Sequence, residues 1–207
     1  MNRGELRTEI KNRLAIPSSG DGLITDTVVN QAITDALNVM VTTRDWPWLV
    51  ASQQLAFPAN INSAELPCDF VRAKELVVNG QPVPYVDLNQ FINTADYSGW
   101  PYQWTIVGNQ VQISPTSSQM ILATMYYYKT EPEMTVDSQE PVMPGFLHQW
   151  IVAYGAYLCA LRRQDEGRAA VYMAQSNDLM NRMRDDVRRK TGRKIQVAPR
   201  VSYANWQ

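Results

Sequence analysis

The chain has 207 residues, 45% hydrophobic and 19% charged, with a formal net charge of -1 at pH 7. That length suits one domain, or one helical body carrying a large insertion, and the balance excludes a disordered chain and an overall polyanion binder. Cys68 and Cys159 lie far apart with neither a CxxC nor a metal-ligand spacing, which predicts two buried free thiols in a reducing compartment.

Met1 is followed by Asn2, Arg3, Gly4 and Glu5 without an apolar run, so no secretory signal peptide is expected. Leu6, Ile10 and Leu14 recur every four residues and predict a short helix, which Pro17 to Gly22 break. Thr25 is placed to cap a second helix, since its hydroxyl can accept from an otherwise unpartnered first-turn amide. Val29, Ile33, Ala36, Leu37 and Met40 share one face of that helix. It should end near Arg44, because Pro47 disfavours helical backbone at the residue before it.

From Leu55 to Tyr128 the hydrophobic period becomes two. Asn79-Gly80 and Gly108-Asn109 each separate extended runs, the signature of two-residue hairpins. In the strand ending at Tyr128, Ile121, Ala123 and Met125 fall on one face and Leu122, Thr124 and Tyr126 on the other. These strands make an antiparallel sheet or small sandwich inserted between helices.

Helix returns after Pro144, with Phe146, Leu147, Trp150, Ile151, Tyr154, Leu158 and Leu161 on one stripe. Residues 141–161 carry no Asp, Glu, Lys or Arg, but Pro141, Pro144, Gly145, His148, Gln149 and Gly155 suit a helix buried in an assembly better than a membrane span. A further helix from about Glu166 to Lys190 places Ala169, Met173, Ser176, Met180, Met183 and Val187 at alternating steps of four and three, a seam for one neighbouring helix. After Asp186 no acidic residue occurs, while Arg188, Arg189, Lys190, Arg193, Lys194 and Arg200 are basic. Gly192 stops the helix, and Ile195, Val197, Val201 and Tyr203 then alternate, so the tail reads as an extended arm of strand character.

The fold class is thus α+β: a mainly helical bundle, an inserted antiparallel sheet or sandwich, and an extended C-terminal arm. The expected divisions are a helix pair over 1–50, a β-rich insertion over 51–135, a second helix pair over 136–190 and the arm over 191–207. Little points to catalysis. The single histidine, His148, falls in the middle of an apolar helical face and reads as a capped or interface residue. Glu131 with Glu133, in a proline-containing loop, and Asp185 with Asp186, on a polar helix face, read as solvated surface. No nucleotide-binding, hydrolase-elbow or zinc-protease motif is present, and no cofactor or metal is expected. The arm suits two readings, contact with phosphates with Tyr203 and Trp206 stacking on bases, or addition as a strand to another protein's sheet, and the second is preferred.

The order of these features resembles the head-to-tail connector, or adaptor, proteins of tailed bacteriophages. The resemblance rests on "RDWPWLV" (44–50), "AELPCDFVRAKELVV" (64–78), "MYYYKTEPEM" (125–134) and "MPGFLHQWIVAYGAYLCALRR" (143–163), and spans most of residues 3–187. It implies a structural, non-enzymatic subunit of the virion neck, made in the host cytoplasm. Such subunits form a closed ring, typically of twelve, under the portal protein. The ring extends the channel for double-stranded DNA, which passes without sequence-specific binding, and carries tail, nozzle or tail-fibre proteins. The same resemblance gives the arm, with Ile195, Val197, Arg200, Val201, Tyr203 and Trp206, the role of portal binding. Trp46 and Trp48 are expected at the bundle–insertion junction or at a subunit interface. The alternatives are a virion-associated cell-wall hydrolase using two distant carboxylates, or a DNA-binding protein using the basic arm.

Overall fold

The computed structural model describes residues 1–17, 19–93 and 98–191. Two helices come first, α1 (Arg3–Arg13) and α2 (Asp26–Thr43), followed by a 3-10 turn at Pro47–Leu49. The middle holds β1 (Val50–Phe57), β2 (Ser63–Glu65), β3 (Phe70–Val78), β4 (Gln81–Val83), a short α3 (Leu88–Ile92), β5 (Gln103–Val107), β6 (Gln110–Ser114) and β7 (Ile121–Lys129). A second 3-10 turn at Gly145–Leu147 leads into α4 (His148–Arg162) and α5 (Glu166–Thr191). The fold is α+β, with antiparallel sheets between helices. Beyond Thr191, the predicted arm lies outside the described residues.

Helix starts follow local chemistry. Asn2 accepts from the Glu5 amide while the Glu5 carboxylate accepts from the Asn2 amide, a reciprocal cap that satisfies two first-turn donors of α1. Thr25 caps α2 as its sequence position implies, accepting from the Val28 amide at 3.4 Å. α4 is the helix on which the others pack: α1, α2 and α5 all lie against it. Its lack of charge permits this, and Gly155 lets α1 approach so closely that a methyl group there would meet Ile10 Cδ1 at 2.6 Å. α5 packs along α4 through its seam, burying Ala169, Ser176, Met180, Met183 and Val187.

The strands form two sheets, ordered β1-β7-β3-β4 and β2-β6-β5. Their facing sides share one core that includes Phe57, Leu76, Trp104, Ile113, Ile121, Ala123 and Met125, so the insertion is a small sandwich. Asn79 and Gly80 both have positive φ in the β3–β4 turn, as a type I′ hairpin requires. In the β5–β6 turn positive φ falls on Gly108 and not on Asn109, so this hairpin reaches the same end with glycine at its first central position. The Tyr127 hydroxyl donates to Asp69, tying β7 to the turn that leads into β3.

Three sequence expectations need correction. β1 begins at Val50, five residues before Leu55, because the 3-10 turn has already reversed the chain by Leu49. Pro144 opens a 3-10 turn instead of α4; Phe146 is thereby out of phase with the α4 stripe and 60% exposed, and Leu161 at the far end is exposed as well. Cys68 is exposed on a turn between buried Pro67 and β3, so only Cys159 is a buried thiol, and burial pushes it up to about 11.

Candidate functional site

The sequence RDWPWLV forms the meeting point of bundle and sandwich. Arg44 ends α2 in extended backbone, and Pro47 sets the 3-10 turn that delivers the chain to β1. Trp46 is wholly buried in the helical core and donates its indole N–H to the Met40 carbonyl at 2.7 Å. Trp48, half-buried, stacks on it with ring centroids 4.8 Å apart, and the Arg44 guanidinium lies 5.9 Å from the Trp46 ring centre. From the sandwich, Val71 and Tyr128 pack against the same helical core. Tyr128 shares its face of β7 with exposed Leu122 and Tyr126, so the outer face of this sheet is open at its far end and covered where it meets the bundle.

Beside this contact lies a cleft of about 610 Å³ lined by Arg44, Asp45, Val50, Arg72, Tyr128 and Val187 among others. Arg72 bridges it to Asp45, which joins β3 to the end of α2. α5 brings Val187 to this cleft, and Thr191 lies one turn further along the helix. No linear motif announces the pairing of Arg72 with Asp45, because it joins distant segments. Ile195, Val197, Arg200, Val201, Tyr203 and Trp206 lie outside the described residues.

The segment between β7 and α4 is strapped to α1. Arg7 grips Asp137 with both guanidinium nitrogens, and that hydrogen bond holds the Asp137 carboxyl below its ordinary range. Arg3 donates to the Thr135 carbonyl, and the Arg3 and Gly4 amides donate to Gln139 and Asp137 carbonyls. Within this strap the solvated reading of Glu131 fails while Glu133 is exposed. Glu131 is buried: one carboxyl oxygen accepts from the Val142 amide, the other has no hydrogen-bond partner among the described residues, and burial raises its pKa.

His148 is the first residue of α4, not mid-helix, since the 3-10 turn precedes it. It is buried, its Nδ1 accepting from the Met1 amino group at 2.7 Å and its Nε2–H donating to the Met143 carbonyl at 3.1 Å. Burial lowers its pKa and favours the neutral ring. Both nitrogens are engaged within the chain, which is the arrangement of a structural histidine. Asp185 is exposed and Asp186 half-buried on α5. Among the described residues no cluster of three potential metal ligands occurs, and no helix is long and apolar enough to cross a membrane.

The uncovered surface is more informative. Tyr85, Leu88, Ile92, Trp100 and Tyr102 are exposed around α3 and the approach to β5, and Met120, Leu122 and Tyr126 on and beside β7. Large apolar side chains grouped this way mark a surface suited to being covered by another molecule. The chain belongs to the SU10 adaptor protein family, which it matches over residues 1–199; this is a family of phage head-to-tail adaptors. No curated protein matches it. It is therefore a structural protein of a bacteriophage.

Two outcomes test this geometry. Trp46→Ala removes a buried ring and orphans the Met40 carbonyl, and should cost about 3–5 kcal/mol; an unchanged urea midpoint would contradict it. Glu131 has a folded pKa above its unfolded one, so its contribution is full below about 4.3 and declines as pH rises toward the folded value. Glu131→Gln keeps an acceptor for Val142 without the charge, so it should raise the melting temperature at pH 7.5 and lose that advantage near pH 4. A gain independent of pH would rule out burial of charge as the cause.

Proposed function

We propose that this adaptor assembles as a closed ring of twelve copies beneath the portal protein of the virion. The ring continues the DNA channel and gives tail, nozzle or tail-fibre proteins a platform. Membership of the SU10 adaptor family over residues 1–199 carries this reading, since the match takes in the helical body, the sandwich and the first part of the tail. Double-stranded DNA passes through the lumen without sequence-specific contacts, a role compatible with a chain of net charge -1. The protein is made in the host cytoplasm and incorporated at the head-to-tail junction.

A ring requires two different complementary faces on each copy, because head-to-tail contacts close only when one patch meets another. The separate exposed groups at Tyr85–Tyr102 and Met120–Tyr126 support such a division. The arm reaches the portal, with Ile195, Val197, Val201, Tyr203 and Trp206 as apolar anchors and Arg200 as a charged one. Trp46 and Trp48 act at the junction, keeping bundle and sandwich in one orientation so that a neighbour meets both together.

Light scattering of the protein with the portal of the same phage tests the reading, using the full-length chain and a chain truncated after Thr191. A ring mass on the portal for the full chain, lost on truncation, is expected. Absence of any complex with the full chain would refute the adaptor assembly; equal binding by the truncated chain would refute the role of the arm.

A further inference from the structure

The two sheets of the sandwich turn their outer faces in opposite directions. On the four-stranded sheet, Leu122, Thr124 and Tyr126 alternate with core-facing Ile121, Ala123 and Met125, so they lie on the side away from the core. The register sets Ala56 opposite Leu122, Val77 opposite Thr124 and Pro82 opposite Val77, which extends that outer face across all four strands. Leu122 is 45% exposed on it and Tyr126 is exposed as well. The other outer face belongs to the three-stranded sheet. Gln103 and Thr105 of β5 alternate with core-facing Trp104 and so point outward, yet both are buried. α3 packs on β5 and covers them. That cover is itself open to the outside: Leu88 and Trp100 are exposed, and Ile92 is 67% exposed.

From Leu76 to Tyr128 the chain has only two charged residues, Asp87 and Asp96. A sandwich so poor in charge, with apolar groups on both outer sides, is suited to being covered on both. A second copy of this chain does so at once. Copies set side by side in one sense bring α3 of each onto the open sheet of the next, and closure of the ring leaves every copy covered on both sides. A foreign partner finishes one face and leaves the other, and so does a two-fold pair. Charge favours the match, since Asp87 is exposed beside α3 while the strands of the four-stranded sheet carry Arg72, Lys74 and Lys129 against Glu75 alone.

We propose that in the ring the α3 side of one copy's sandwich packs on the outer face of its neighbour's four-stranded sheet, with Ile92 and Trp100 meeting Leu122 and Tyr126. This rests on the ring reading and adds to it which two faces meet. Trp100 is the aromatic anchor, and Val77 and Pro82 flank its seat. The contact joins sandwich to sandwich, so the orientation that the bundle junction gives each sandwich sets how one copy follows the next.

Two full-length variants test it, Ile92→Cys and Leu122→Cys, each with Cys68→Ser so that the other thiol, Cys159, is buried. Both positions are exposed, so the melting temperature of each variant should match that of the unaltered chain. Each is assembled on the portal of the same phage, alone and as an equal mixture, and treated with a short bismaleimide, while light scattering reads the ring mass in the same samples. The mixture should give a cross-linked band of two subunits on a denaturing gel that neither variant gives alone, and a chain carrying both cysteines should give a ladder up to the full ring. Ring mass without a cross-link in the mixture overturns the contact and leaves the ring reading standing. A two-subunit band from either variant alone also overturns it, since like faces then meet. Absence of ring mass from the unaltered protein refutes the ring reading and the contact with it.

Discussion

The burial of α4 is the constraint on which the rest of the structure depends. A helix without charge from its start to Leu161 must be covered, and α1, α2 and α5 cover it. Gly155 sets how close α1 comes, and the α5 seam sets which side of α5 faces inward. Because α1 and α2 come from one end of the sequence and α4 and α5 from the other, the bundle closes only by bringing both halves together. The intervening strands leave and return at the same end, which makes the sandwich an insertion.

That arrangement concentrates demand on the junction. The chain leaves the bundle through Trp46 and Trp48 and returns to it through Tyr128 and the strap that Arg3 and Arg7 hold. Trp46 serves both sides of that exit: its ring fills the helical core while its N–H satisfies a carbonyl near the end of α2. Arg72 with Asp45 adds a polar tie across the cleft, of modest worth at such exposure. In the proposed ring, two bodies held by several independent ties would meet a neighbouring partner as one unit.

Much of the fold was legible because short-range patterns report burial directly. Leu6, Ile10 and Leu14 are all buried, as are Ile121, Ala123 and Met125, and Thr25 caps the helix it precedes. The errors share one origin. Period and residue type alone do not settle the exposure of Phe146, Cys68 and Glu131: it is set by the 3-10 turn that takes Phe146 out of phase with α4, by the turn before β3 that holds Cys68, and by Val142, whose amide folds back on Glu131. Tyr128 illustrates the same point, since its parity in β7 predicts exposure with Tyr126 and only the bundle covers it. The functional surface was less legible than the core. Exposed Trp100, Tyr102 and Ile92 look like ordinary core residues in a sequence, and the motif that carries most meaning is the ordered set shared with other adaptors.

The central claim is that this chain is one copy in a ring coaxial with the portal. Cryo-electron microscopy of the portal assembled with the full-length protein tests it most directly. The account predicts density for a closed ring of copies on the portal axis, with bundle and sandwich in the same relative orientation in every copy and an open central channel. A single copy bound off-axis, or a bundle and sandwich that separate on assembly, would contradict it.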